Sequence, residues 1–132
     1  MGFEMWLQAD ASQTRRLPSP SDVESAFAGA SIRPSAAGDG TILEIEGETF
    51  DLAYDREVEF VDHIAVDRPT DSQPLWEGMF RLLSDFDMFM YWPGDRLIAA
   101  MARAAVPLPA DMNAERVIVR SATDLMSLVR GN

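Results

Sequence analysis

Residues 41–54, TILEIEGETFDLAY, contain the pattern that decides the fold. Apolar residues alternate with polar or acidic residues on both sides of Gly47-Glu48, as expected for two half-buried strands. Glycine tolerates the positive φ that a two-residue hairpin turn requires, and a turn at Gly47-Glu48 places Glu44 opposite Asp51. The stretch therefore predicts a β-hairpin whose alternation assigns each side chain to one of two faces. The core-facing residues are Leu43, Ile45, Phe50 and Leu52, and the acidic residues facing solvent are Glu44, Glu46 and Asp51.

A third strand is predicted directly after the hairpin, from Glu57 to about Val66. Its alternation has one irregularity, because Asp62 falls on the core side of the count. This position favours a β-bulge, which shifts the phase by one residue, over an inward-facing carboxylate. The core side of the strand is expected to carry Val58, Phe60, Ile64 and Val66, and the other side Glu57, Glu59, Val61 and His63.

Further elements are indicated on either side of this centre. Alternation in residues 3–9 predicts a first strand, and Ser21-Asp22-Val23-Glu24 has the capping-box pattern of a helix start. An apolar stripe at helical spacing predicts a helix from about Pro74 to Phe86. The remaining predictions are a buried strand at 88–92, a short helix capped by Asp95 that carries Leu97, Ile98 and Met101, a strand at 116–120, and a final helix from Ser121 with Leu125, Met126 and Val129 inward and Gly131 beyond its end.

Strands in the first half, followed by helices interleaved with strands, predict an α+β fold. We expect one globular domain, residues 1–132, built on a mainly antiparallel twisted sheet of about five to six strands. The central hairpin of this sheet is residues 41–54, and three to four helices pack on one face. A parallel α/β arrangement in the second half is the main alternative.

The composition is that of a globular protein and excludes several kinds of chemistry. With 47% hydrophobic and 25% charged residues, the 132-residue chain can bury a core without disulfides. It contains no cysteine and no lysine, which excludes thiolate catalysis, sulfur-ligated metals, Schiff bases and a P-loop lysine. The use of arginine alone as the basic residue indicates a high-G+C bacterial genome. We expect a cytoplasmic protein, since MGFEMWLQAD does not resemble a secretory signal and no apolar run is long enough to span a membrane.

The net charge of −11 is concentrated in one part of the chain. Residues 41–71 contain ten acidic residues and two arginines, a net charge of −8, which leaves −3 for all other residues. A field of this sign repels nucleic acids and anionic membranes and attracts basic proteins. Glu44 and Asp51 are opposed in the predicted register, and like charges opposed across a sheet destabilise it. This cost makes partner binding a hypothesis that competes with a merely solubilising role.

Residues that could perform catalysis or bind ions are sparse. His63 is the only histidine, and neither a nucleophile motif nor a second histidine at ligand spacing accompanies it, so a structural or exposed role is expected. The carboxylates lack the loop spacing of an EF-hand, so no metal and no cofactor is predicted. Aromatic residues near Pro93-Gly94 are more often core than pocket, but they define an alternative ligand region made of Trp92, Tyr91 and His63.

The sequence therefore predicts a small, acidic, non-catalytic protein-binding domain. An immunity protein that neutralises a toxin domain is the sharpest form of this hypothesis. The alternative is a small-ligand binder or enzyme that uses the aromatic region around Trp92 and His63. A third hypothesis is self-association through an exposed sheet edge. The residues expected to dock a basic partner are Glu44, Glu46, Asp51, Glu57 and Glu59.

Overall fold

The computed structural model describes residues 4–27, 31–34, 41–45, 48–67 and 72–131, which form eight strands and three helices. The strands are β1 (Glu4–Gln8), β2 (Ser31–Pro34), β3 (Thr41–Ile45), β4 (Glu48–Ala53), β5 (His63–Asp67), β6 (Phe89–Tyr91), β7 (Ile98–Met101) and β8 (Glu115–Ile118). The helices are α1 (Pro20–Ala26), α2 (Gln73–Asp85) and α3 (Ala122–Gly131). None of these three described helices combines the length and the hydropathy that crossing a membrane requires.

The described strands belong to one sheet in the order β2-β3-β4-β5-β1-β6-β7-β8. The pairs are antiparallel except for β7 with β8, which run parallel. The α+β class and the mainly antiparallel pairing predicted from the sequence are confirmed, and the parallel pair makes the sheet a mixed one. Residues 102–114 connect β7 to β8, and their number meets the dozen or so residues that a parallel crossover requires.

The predicted hairpin is confirmed as β3 and β4, but its predicted register is wrong by two residues. The ladder ends with Ile45 opposite Glu48, and Glu44 lies opposite Thr49 instead of Asp51. Glycine is favourable at either central position of a two-residue turn, so Gly47 alone did not determine the register. A shift of two keeps the alternation, and Leu52 is buried as predicted. The predicted side-chain positions at Leu43, Ile45, Phe50, Glu44, Glu46 and Asp51 lie outside what the structure describes.

The predicted third strand begins later than expected, because β5 starts at His63. Residues 57–60 form bends, and Val58 and Phe60, predicted to face the core, are exposed. Asp62 is exposed and precedes the strand, so neither the bulge nor the inward carboxylate is present. The backbone here bonds to residues 9–18: the Val61 amide donates to the Pro18 carbonyl at 2.7 Å, and the Asp62 carbonyl accepts from Ala9 at 2.9 Å. The bond between Ala9 and Asp62 continues the register of β1 with β5, whereas the bond to Pro18 leads the chain away from the sheet.

Helix α1 begins two residues before the predicted start. Its N-cap is Ser19, whose hydroxyl accepts from the Asp22 amide while the Asp22 carboxylate accepts from the Ser19 amide. The predicted box of Ser21 with Glu24 is therefore wrong. Ser19 is followed by Pro20, and proline is favourable in the first helical turn because its missing N–H has no partner to lose there.

The other elements agree with the sequence except for β7. Helix α2 occupies the predicted stretch, although Phe80 on its apolar stripe is only half-buried. The short helix predicted after Asp95 is instead strand β7, whose four residues are all buried between β6 and β8. A short, continuous apolar run fits both a buried strand and a buried helix, so periodicity could not distinguish them. In α3, Leu125 and Val129 are buried as predicted, Met126 is half-buried, and Gly131 is the last helical residue.

The buried residues form two clusters. The larger cluster joins the helices to alternate residues of the central strands, including Met5 and Leu7 of β1 and Ile64 and Val66 of β5. The smaller cluster contains the intervening residues of β6 and β7, against which the β7–β8 connection packs. Its buried members are Phe89, Ala99, Met101 and Val106, and the partly buried residues packed on it are Tyr91, Leu108, Met112 and Ala114.

A network around Asp87 ties the end of α2 to two loops. Its carboxylate accepts a hydrogen bond from the Thr14 hydroxyl at 2.6 Å and from the Arg103 guanidinium at 2.5 Å. The same guanidinium donates to the carbonyls of Ser84 and Phe86. Burial alone raises the pKa of the Asp87 carboxyl, but the bonds from Thr14 and Arg103 and the charges of Arg103 and Arg16 outweigh burial and lower it. The charged form is therefore part of the folded state.

This lowered pKa predicts a specific pH dependence of stability. A carboxyl whose pKa is lower in the folded state stabilises fully above its unfolded pKa, close to 3.8, and loses this contribution as the pH falls through the folded value. We expect Asp87→Asn to lower the urea midpoint at pH 7 and to lose less stability than the wild type below about pH 4. Urea unfolding of both proteins between pH 2.5 and 7 measures the midpoint at pH 7 and the loss of stability at low pH. Parallel pH profiles for the two proteins would contradict the assignment.

Candidate functional site

One face of the central sheet is less buried than the other. On β1 and β5, Met5, Leu7, Ile64 and Val66 are fully buried, while the residues between them are exposed or half-buried. Because successive side chains on a strand point to opposite faces, the partly accessible residues share one side. We call this side the open face, and it consists of Glu4, Trp6, Gln8, His63, Ala65 and Asp67, together with Ala53 of β4 and Tyr91 of β6.

An aromatic pair occupies the middle of the open face. Trp6 of β1 lies opposite Tyr91 of β6, and their rings stack with centroids 5.2 Å apart and an interplanar angle of 25°. The Tyr91 hydroxyl donates a hydrogen bond of 3.0 Å to the side-chain carbonyl of Gln8. Burial raises the pKa of the Tyr91 hydroxyl, which keeps it protonated as a donor. The hydrogen bond and the stacking hold both rings in place, and each residue is half-buried.

The open face is bordered on the β6 side by the connection from β7 to β8. The Phe89 ring lies 6.0 Å from that of Tyr91, and Leu108 and Met112 pack on the same cluster. The Gln13 side-chain amide donates to the Leu108 carbonyl at 2.8 Å and attaches this border to the loop after β1. The aromatic pair is therefore supported from the β6 side.

Small residues lie on the other side of Trp6. Ala65 of β5 is its register partner on that side, and Ala53 of β4 lies opposite Ala65. Ala53 is exposed and Ala65 is half-buried. The register positions next to Trp6 on this side therefore carry only the small side chains of Ala65 and Ala53.

Three acidic residues occupy one register row across β1, β5 and β4. Asp67 of β5 lies opposite Glu4 on one side and opposite Asp51 on the other. This row is two residues along the strands from the row of Trp6, Ala65 and Ala53, a distance of about 7 Å. The sequence alone placed this opposition between Asp51 and Glu44, whereas the structure places it between Asp51 and Asp67.

The predicted ligand region is divided between the two faces of the sheet. His63 lies opposite Gln8 at the far end of the open face and is exposed, and Tyr91 bonds to the same Gln8. Trp92 is 2% exposed and belongs to the main core cluster. The structure therefore brings His63 and Tyr91 to one face and separates Trp92 from them. The alternation of β6 explains this, since neighbouring residues of a strand point in opposite directions.

The segment between β4 and β5 is the most exposed acidic part of the chain that the structure describes. We call residues 55–60, DREVEF, the acidic loop. Glu57 and Glu59 are exposed, and between and after them Val58 and Phe60 are 38% and 49% exposed. The loop is anchored by an ion pair of 3.1 Å between Arg56 and Glu24 of α1. It connects β4 to β5 along the chain, and the ion pair with Glu24 places it beside α1.

The five residues predicted to dock a partner do not form one sheet face. Glu57 and Glu59 belong to the acidic loop, Glu44 and Asp51 to the hairpin strands, and Glu46 lies outside the described residues. Sequence reasoning missed Trp6, Ala65 and Asp67 of the open face, and it assigned Phe60 to the core. The available signal was Trp6 itself, because an aromatic residue on the polar side of an alternating strand is expected to be partly exposed.

No other described group offers a clearer site. A cleft of about 320 Å³ between α2 and α3 is lined by Phe80, Arg81 and Arg120, but the Arg81 guanidinium already donates to the Ala26 carbonyl at 2.7 Å. Among the residues that the structure describes, no three histidine or acidic side chains converge to hold a metal ion. Comparison with protein-family models, curated proteins and solved structures found no match.

Proposed function

We propose that this protein is a small, acidic, non-catalytic protein-binding domain that docks a basic partner through the open face and the acidic loop. In this proposal the three helices cover one side of the sheet, which is supported by the cluster they share with Met5, Leu7, Ile64 and Val66. The other side, the open face, is then accessible to the partner, and the acidic loop beside α1 adds Glu57 and Glu59 to the binding surface. An immunity protein that neutralises a basic toxin domain is the sharpest form of the proposal, and the net charge of −11 supports it.

The exposure of Phe60 in the acidic loop is the observation that carries the proposal. A phenylalanine with 49% of its surface in water contributes little to folding, and Val58 beside it is 38% exposed. Aromatic residues at the centre of an interface commonly supply much of the binding energy. Glu57 and Glu59 flank these apolar residues, so a matching partner has an apolar pocket with a basic rim. Acidic groups of this kind increase the association rate, whereas the buried aromatic group slows dissociation.

The proposal is tested by capturing the partner and then measuring its binding kinetics. The tagged chain is used to isolate proteins from a lysate of its native host, and the bound proteins are identified by mass spectrometry. Captured partners are expected to be basic. Association and dissociation rates are then measured at low and high salt for the wild type and for two variants, Glu57→Arg with Glu59→Arg, and Phe60→Ala.

The two variants are expected to change different rates. The double charge reversal should slow association about tenfold at low salt and less at high salt, because salt screens exposed charges. Phe60→Ala should mainly accelerate dissociation, by about tenfold or more for an interface hot spot. The matched control reverses Asp85 and Asp95, two exposed acids outside both surfaces. An effect of the control as large as that of the loop reversal, or no effect of either loop variant, would refute the proposal.

A further inference from the structure

We infer that two copies of this chain pair through β8 and form a symmetric dimer with one continuous sheet. The inference goes beyond the proposed function, because several strands separate β8 from the hairpin strands β3 and β4. Among the described strands, β8 ends the order on its side and pairs with β7 alone. A strand in this position presents unpaired backbone groups, which are a template for pairing with another chain.

The outward backbone groups of β8 belong to Arg116 and Ile118. In the parallel ladder with β7, the amides of Glu115 and Val119 donate at 3.0 and 2.9 Å to backbone carbonyls of the β7 segment. Successive residues of a strand direct these groups to opposite sides, so Arg116 and Ile118 turn their N–H and C=O groups away from β7. Within the described part of the chain, no segment on the outer side bonds to them.

The charged side chains of β8 are already bonded within the chain. The Arg116 guanidinium donates to the Val106 carbonyl at 2.7 Å, which directs it to the β7–β8 connection. The Glu115 carboxylate forms an ion pair of 2.9 Å with Arg96. Charged side chains commonly protect an edge strand from pairing, but here both have partners in the same chain. The apolar group left at the edge is Ile118, which is 41% exposed.

The distribution of charge favours a second copy as the occupant of this edge. Residues 96–120 contain four arginines and two acidic residues, a net charge of +2, so this end does not attract the basic partner of the acidic loop. Strand β8 lies five strand spacings from β4, about 24 Å across the sheet. Two copies joined through β8 therefore keep their hairpin strands roughly 50 Å apart, well beyond the Debye length of about 8 Å at physiological ionic strength.

The sequence of β8 selects one antiparallel register for the pair. Only residues with outward backbone groups can exchange hydrogen bonds with the second copy. The registers shifted by two residues oppose like charges, because they place Arg116 opposite Arg116 or Arg120 of the second copy. The remaining register places Arg116 opposite Ile118 in both directions. The two-fold axis then lies between the two Val117 residues, and the two Ile118 side chains are diagonal neighbours about 7–8 Å apart.

The inference is tested by sedimentation velocity of the full chain from about 10 µM to about 1 mM, since a short strand pair buries less than a standard interface and binds weakly. We expect a monomer–dimer equilibrium. Dimerisation should strengthen with salt, which screens the repulsion between two chains of net charge −11. A monomer at every concentration, or species larger than a dimer, would overturn the inference.

Two variants at Ile118 and a matched control locate the interface. Ile118→Lys places a charge at the edge and should weaken dimerisation about tenfold or more. Ile118→Pro removes one outward N–H and should have the same effect, while the ladder with β7 is retained because this amide points away from it. Leu97→Lys, at a residue that is 43% exposed and lies outside β8, should leave the equilibrium unchanged. Thermal unfolding confirms that each variant is folded.

A cysteine at the two-fold axis tests the register. The chain has no cysteine, so Val117→Cys introduces its only thiol. Directly opposed residues without hydrogen bonds have Cα atoms about 4.5 Å apart, a distance that a disulfide can bridge. In mild oxidant, Val117→Cys should form a linked dimer rapidly, whereas Leu97→Cys should link only slowly, through collision. Equal linking rates of the two variants would overturn the register.

The outcomes also separate this inference from the proposed function. Ile118→Lys should leave capture of the basic partner unchanged, and reversal of Glu57 and Glu59 should leave the dimer intact. A dimer that both Ile118 variants leave intact would form at another surface, so the inference would fail while the proposed function stands. If the dimer depends on Ile118 but no basic partner is captured, the inference stands and the proposed function fails.

Discussion

Replacing Phe89 with alanine is expected to lower the free energy of unfolding by about 3–5 kcal/mol, the range for truncating a fully buried phenylalanine. Phe89 is 0% exposed and is the largest buried residue of the small cluster beneath the β7–β8 connection. Removing the ring leaves a cavity beside Ala99, Met101 and Val106. The methyl group of Ala99 is too short to fill this space. Urea unfolding followed by far-ultraviolet circular dichroism measures the change.

The matched control is the same substitution at Phe60. That ring is 49% exposed, so Phe60→Ala should change the free energy of unfolding by less than about 0.5 kcal/mol. Comparing the two substitutions distinguishes a phenylalanine that stabilises the fold, Phe89, from one that is available for binding, Phe60. A loss at Phe60 comparable with that at Phe89 would mean that the acidic loop packs on the domain, and Phe60 would then have a structural role.

Replacing Gly78 with alanine should destabilise the protein, contrary to the usual effect in a helix. Alanine is ordinarily favoured over glycine in a helix interior by about 1 kcal/mol. In α2, however, a Cβ at Gly78 would overlap the ring of Phe27, which is 2% exposed and has no room to move outward. Overpacking of a core costs about 1–3 kcal/mol, so we expect a net loss in this range. Chemical denaturation gives the value.

Gly131→Ala is the control for this prediction. Apart from its chain neighbours and the backbone of its own helix, nothing lies within 4 Å of a Cβ placed at Gly131, at the end of α3, so the change should be neutral or slightly stabilising. Combining Gly78→Ala with Phe27→Leu should recover part of the loss, because the smaller side chain vacates the ring position. If Gly78→Ala is as stable as Gly131→Ala, the close packing of α1 on α2 is incorrect.

Much of the fold could be predicted from short-range patterns. The alternation at residues 41–54 predicted the β3–β4 hairpin, and the apolar stripe after Pro74 predicted α2. The register of the hairpin could not be predicted, because a shift of two residues preserves every face and glycine is favourable at both turn positions. Strand β7 was mistaken for a helix because a four-residue apolar run has no decisive period.

Of the candidate site, only its acidic character could be predicted from the sequence. Glu57 and Glu59 were identified as partner-binding residues, and both are exposed. Their apolar neighbour Phe60 was assigned to the core, since its alternation with acidic residues resembles that of a half-buried strand. Residues 57–60 form bends instead of a strand, and the amide of Val61 bonds to the carbonyl of Pro18, which is far away in sequence. No local pattern reports such bonds.

The sequence by itself determined the class of fold, the chemistry that the chain lacks and the position of its negative charge. These properties depend on composition and on periods of two to four residues, which can be read locally. Only the tertiary structure decided which strands are neighbours. The order β5-β1-β6 places Trp6 between Ala65 and Tyr91, and the pairing of β4 with β5 places Asp51 beside Asp67. Strand order depends on how the whole core is buried, and an alternating strand buries the same face beside almost any neighbour.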